Sequence, residues 1–109
     1  MQVVNSLSGG AVFEFKRVMG CTPEDLVRWL PEALSDLYQQ TSLVIDDREL
    51  LLGTHSRITM CGTTLKSRKI ALLSIPVLEL VITFDAFFSA EQIQAILDRF
   101  DLYTRRGGG

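Results

Sequence analysis

From Val77 to Phe84 every second residue is large and apolar: Leu78, Leu80, Ile82 and Phe84 fall on one side of an extended chain, with Glu79 and Thr83 opposing them. Side chains of a strand alternate between its two faces, so this segment buries one face and wets the other. Ala11 to Met19 repeats the pattern, with Phe13 and Phe15 against Glu14 and Lys16. A sheet that is oily on one side needs amphipathic helices to cover it. The chain supplies two.

The first helix has a strong start. Thr22 can cap, Pro23 suits the first helical position because its missing N–H has no intrahelical partner there, and Glu24 and Asp25 complement the positive end of the dipole. Leu26, Leu30, Ala33, Leu34 and Leu37 form its apolar stripe. Pro31 falls inside it, and its ring meets the carbonyl of Val27, so a kink or a break into two short helices is expected there. Trp29, beside the break, is expected to pack into the core. The last helix, from Ala90 to about Leu102, is signalled by a Ser89/Gln92 capping box and by Phe88 and Ile93 in hydrophobic-staple positions.

Between the helices, strands are expected at Leu43 to Leu52, Arg57 to Cys61, Arg68 to Ile75 and Val77 to Phe84, with Asp46-Asp47, Gly53-Thr54 and Gly62-Thr63 as turn material. Pro76 cannot donate to a ladder, so it marks an edge, a bulge or a bend that divides its run into two strands. The resulting fold class is α+β: a two-layer sandwich with an antiparallel sheet of four to five strands, a broken helix after the first strand and a C-terminal helix on the same face. Residues 1–10 read as a flexible lead-in, 11–103 as one domain, and 104–109 as an Arg-Arg-Gly-Gly-Gly tail.

The chain of 109 residues, 47 % hydrophobic and 22 % charged, has globular composition. A net charge of −2 argues against wholesale binding to nucleic acid or an anionic membrane. The distribution of charge is uneven, however. No acidic residue lies between Leu50 and Leu78, where Arg57, Lys66, Arg68 and Lys69 make a candidate basic patch or a pair of solvated hairpin arms. The amino terminus lacks a cationic and apolar secretory pattern, and the longest apolar run is too short to span a bilayer. A cytoplasmic location with reduced Cys21 and Cys61, both as small core thiols, is the expectation.

Chemistry is thinly represented. His55, Cys61 and Cys21 have no zinc-site spacing, and no cofactor or metal is expected. His55 reads as an exposed turn residue. Asp46 and Asp47 are adjacent and do not converge as a dyad. Glu79 is the carboxylate of most interest, because burial among apolar neighbours raises a carboxyl pKa, although the alternation places it on the outer face. Arg105 and Arg106, with the amides of Gly107 and Gly108, could clamp a phosphate or carboxylate.

Two resemblances bear on function. The terminal Arg-Arg-Gly-Gly-Gly resembles the Arg-Gly-Gly ends of ubiquitin-like modifiers, which implies a conjugated or carrier protein acting through its last glycine. The first strand, the Thr22-Pro23-Glu24-Asp25-Leu26 helix opening, the meandering strands and the closing helix resemble the helix-grip plan of START-like binders. That plan implies a hydrophobic- or anionic-ligand pocket between sheet and helices, here lined by Trp29, Phe15 and Phe84 with Glu79 or Arg105 at its polar end. The leading reading rests on neither: a well-specified core with no convergent polar constellation points to a binding or interaction module without catalytic machinery, engaging a protein partner or a second copy through the edge near Pro76 or through Phe87. Phe87 is otherwise expected beneath the last helix.

Overall fold

The computed structural model describes residues 2–5 and 11–105, with side chains from Phe13 onward. The order is β1 (Gln2–Asn5), β2 (Ala11–Met19), α1 (Pro23–Leu34), a 3-10 helix (Ser35–Gln40), β3 (Thr41–Ile45), β4 (Arg48–Leu51), β5 (Ile58–Ile70), β6 (Leu73–Phe84) and α2 (Ala90–Thr104). Among the described residues the strands form one sheet in the order β1-β2-β6-β5-β3-β4. All neighbours are antiparallel except β3 and β5, which run parallel. The α+β class and the mostly antiparallel sheet are as expected. The additional strand is β1, which pairs with β2 from within the stretch read as a lead-in.

Alternation decides which face is covered. Phe15, Ile82, Met60 and Leu43 lie side by side across four strands on the helix face, and α1 and α2 seal that face with Leu26, Leu30, Ala33, Ile93, Leu97 and Phe100. The rings of Phe15, Phe84 and Phe88 meet edge to face, with Phe84 5.9 Å from Phe15 and 5.8 Å from Phe88. Each fully buried Leu, Ile or Phe side chain here contributes about 1.5–3 kcal/mol of transfer free energy. The two helices are tied to each other where the Arg99 guanidinium donates to the Glu32 carbonyl at 2.9 Å. Arg17 reaches from β2 to Asp101 of α2 with two hydrogen bonds, 2.9 and 3.1 Å.

Both helix starts carry reciprocal caps. Thr22 accepts from the Asp25 amide while Asp25 accepts from the Thr22 amide, and Ser89 and Gln92 do the same for α2. The break expected at Pro31 does not occur. α1 continues through it to Leu34, and the chain changes course at Ser35, where φ is 54°. A proline removes only one bond from the ladder. Leu26 and Leu30 before it and Ala33 and Leu34 after it are all buried, which holds the helix together across the gap.

Two further expectations are corrected. Gly62-Thr63 is not a turn but lies within β5, where a glycine is needed because an added Cβ would stand 2.9 Å from Cγ1 of Ile45. Pro76 does not divide its run either: β6 passes through it, and the reversal comes at Ala71-Leu72 instead. The segments read as Arg57 to Cys61 and Arg68 to Ile75 are thus the start of one long strand and a hairpin turn.

Candidate functional site

β5 and β6 are much longer than their neighbours. β2 accompanies β6 only as far as the Met19–Leu78 pair, and β3 accompanies β5 only to the Ile45–Gly62 pair. Beyond these points the hairpin runs on alone. At roughly 3.3 Å per residue, the run from the Leu65–Val77 pair to the turn after Ile70 carries it about 20 Å past the sheet. The molecule accordingly measures 49 × 27 × 25 Å, and its radius of gyration of 14.2 Å exceeds the about 13 Å of a compact chain of this length. Every residue from Thr63 to Ser74 is exposed.

The base of this arm is buttressed. Asp46 and Asp47 turn the chain from β3 into β4 with φ of 51° and 65°, a pair of left-handed residues that matches the twist of a two-residue hairpin. The Asp46 carboxylate accepts from the amide and hydroxyl of Thr64 at 3.0 and 2.6 Å. Those hydrogen bonds hold the Asp46 carboxyl below its ordinary pKa, with Arg48 adding a smaller push in the same direction.

Above the base, a bulge decides what the arm displays. Leu65 opposes Val77, but the next pair is Arg68 with Ile75, so one extra residue of β5 lies opposite Pro76. The missing proline N–H thus falls where the ladder is already interrupted, which is the bulge among the three roles expected of Pro76. The extra residue also inverts the alternation of β5. Arg68 and Ile70 therefore share the helix-free face with Val77, Ile75 and Leu73, while Lys69 and Ser74 point to the other side. Ile70 is 51 % exposed, Leu73 67 % and Val18, beside them on β2, 55 %, with Leu72 wholly in solvent at the tip. Val18, Met19, Gly20, Arg68, Ile70, Ile75 and Val77 enclose a hollow of about 110 Å³ at the foot of this apolar stripe.

Charge on the arm is of one sign. Lys66, Arg68 and Lys69 have no hydrogen-bond or ion-pair partner among the described residues. Cations elsewhere are mostly satisfied: Lys16 pairs with Glu79 at 3.7 Å, Arg28 with Asp25 at 2.7 Å, and Arg57 with Asp85 at 4.0 Å. Arg57 also lies 3.8 Å from the Phe87 ring centroid. It stands just before the opposite end of β5, roughly 35 Å from Arg68 by strand rise, so the four cations of the expected basic patch divide into one and three.

The remaining candidate residues do not meet in one pocket. Phe84 is sealed in the core, Phe15 touches it, and half-buried Trp29 packs on the same core from α1. Glu79 alternates to the helix-free face, where Lys16 holds it, as the alternation implied. Arg105 follows α2 and borders a shallow hollow of about 220 Å³ with Arg17, Asp101 and Thr104. Arg106, Gly107 and Gly108 lie outside the described residues. Phe87 is exposed and not beneath α2. Cys21 is a buried thiol, pushed up to about 11 by desolvation and by Asp25. Cys61 is not a core thiol: it is exposed on the helix-free face of β5. Among the described residues no three His, Cys, Asp or Glu side chains gather as a metal site, and no helix is long and apolar enough to cross a membrane.

Comparison with known proteins finds no matching family model, no matching curated protein and no matching solved structure.

The arm was only partly visible in the sequence. Its cations and the acid-free stretch were legible. Its length was hidden because the turn uses Ala71-Leu72, with Ala71 at φ 54°, in place of the Asn, Asp or Gly that such a turn favours.

Proposed function

We propose that the chain is a protein-interaction module whose working part is the β5–β6 arm. One observation carries this reading: among the described residues, a strand hairpin from Leu65 to Val77 leaves the sheet with neither outer edge paired to another strand, an apolar stripe on one face and three unpartnered cations. An isolated two-stranded hairpin is marginal in water, and exposed strand edges invite pairing with another chain. Exposed apolar stripes of this kind mark interaction surfaces. The cytoplasmic location belongs to the same proposal, with Cys61 kept as a thiol by a reducing compartment.

The ligand-pocket alternative has less behind it, since the aromatic side chains named for it fill the core and Glu79 lies on the other face of the sheet. The test is retention of proteins on the immobilised full chain, compared with an Ile70→Asp/Leu72→Asp variant and with a chain ending at Thr104. Loss of the retained proteins with the arm variant, and their persistence after truncation, is the expected result. Equal retention by wild type and arm variant would remove the arm from function. Loss on truncation alone would favour the glycine-tail reading.

A further inference from the structure

Resting on that reading, we propose that the partner of the arm is a second copy of this chain, and that its seat is the outer edge of β4. Charge segregation is the first support. Three of the eleven cations and none of the thirteen carboxylates lie between Thr63 and Ser74, leaving eight cations against thirteen carboxylates, a net −5, on the remainder. The carboxylates without a partner among the described residues include Glu24, Asp47 and Glu49, all around β4. The arm and the β4 flank thus carry the complementary charges that one molecule leaves unsatisfied.

Topology supplies the second support. Among the described residues β4 is the last strand of the sheet, so its outer edge is free. The edge of β5 beyond Thr64 is free as well, and it faces the same flank. Within one copy β4 and β5 run in opposite directions, because β3 is parallel to β5 and antiparallel to β4. A two-fold axis perpendicular to the sheet, passing beyond the Asp46-Asp47 turn, reverses one copy. Each β5 arm then lies parallel to the other copy's β4, and both free edges are consumed in a closed, isologous pair. Two arms laid against each other would instead oppose like charges.

Faces match in this arrangement. Glu49 opposes Val44 on the helix-free side, the side on which Arg68 stands. Lys69, on the helix side, meets Glu24, which borders a shallow apolar hollow of about 250 Å³ with Val27 and Leu50. Exposed Leu52, just past β4, offers an apolar surface to Ile70 and Leu72.

Sedimentation equilibrium of the full chain tests this between about 1 µM and about 500 µM. The expected mass rises toward twice 12.2 kDa. Two exposed charge-reversal variants, Lys66→Glu/Arg68→Glu/Lys69→Glu and Glu24→Lys/Glu49→Lys, should each dimerise at least about tenfold more weakly. Mixed together they should form a heterodimer, since each arm then faces an edge of opposite sign. Circular dichroism of each variant alone establishes that it is folded. A wild type monomeric throughout, a dimer indifferent to either reversal, or a mixture that fails to pair would each overturn the proposal. If the wild type is monomeric yet still retains another protein through its arm, the interaction reading stands and only self-recognition falls.

Discussion

The same two strands lead different lives at their two ends. Between Ile58 and Gly62 and between Leu80 and Phe84, β5 and β6 are flanked by β3 and β2, covered by α1 and α2, and their inward side chains are almost without solvent contact. Between Leu65 and Ile75 they have only each other. Hydrophobic residues occur in both halves, so composition does not separate them. What separates them is whether a neighbouring strand and a covering helix end at the same level. The lower half carries the fold; the upper half has apolar side chains and backbone edges with no structural use inside one molecule.

The largest effect expected from this contrast is a difference between two leucines. Leu80→Ala, in the sealed half, should cost about 2–5 kcal/mol, whereas Leu72→Ala at the tip should change stability by no more than about 0.5 kcal/mol. Urea midpoints of the monomeric protein measure both, and similar costs would erase the distinction. A smaller difference is expected between two glycines. A Cβ at Gly53 would lie 2.7 Å from the backbone N and O of Thr41, atoms that cannot step aside, while the Cβ at Gly62 meets the side chain of Ile45. Gly53→Ala should therefore cost roughly 1–3 kcal/mol and Gly62→Ala less, again by urea denaturation.

Ala71 sharpens the comparison from the other side. Its left-handed φ of 54° is strained for a residue with a Cβ. Ala71→Gly should slow amide exchange in the arm by an amount equivalent to about 1 kcal/mol and leave exchange at Ile58 to Gly62 unchanged. The smallest effect concerns pH. The Asp46 carboxyl is depressed in the folded state by the Thr64 hydrogen bonds. Its contribution is therefore present above the ordinary carboxylate pKa of about 4 and is lost as pH falls through the lower folded value. Thr64→Val should flatten that acid-side loss in a thermal-melt series across pH, and an unchanged profile would show that Asp46 does not anchor the base of the arm.

Local rules were readable wherever one residue type serves one purpose. The Ser89/Gln92 box, Thr22-Pro23 and the alternation of β2 and β6 lie where propensity and tertiary structure agree. The misread positions are those where a neighbour overrides the local signal. Pro31 is held in a continuous helix by burial on both sides. Gly62 is a glycine because Ile45 occupies its Cβ position. Ala71 turns the chain without a turn residue, and Cys61 is exposed because no helix covers that face. The site suffered most, because its distinguishing property is the absence of flanking strands, and strand order is a long-range property that no local pattern encodes.

Residue-resolved hydrogen exchange at the lowest workable concentration tests the two-halves account most directly. Amides from Ile58 to Gly62 and from Leu80 to Phe84 should exchange only with global unfolding, and those from Lys66 to Leu73 through local opening, orders of magnitude faster. An arm protected in the monomer as strongly as the covered half would contradict it.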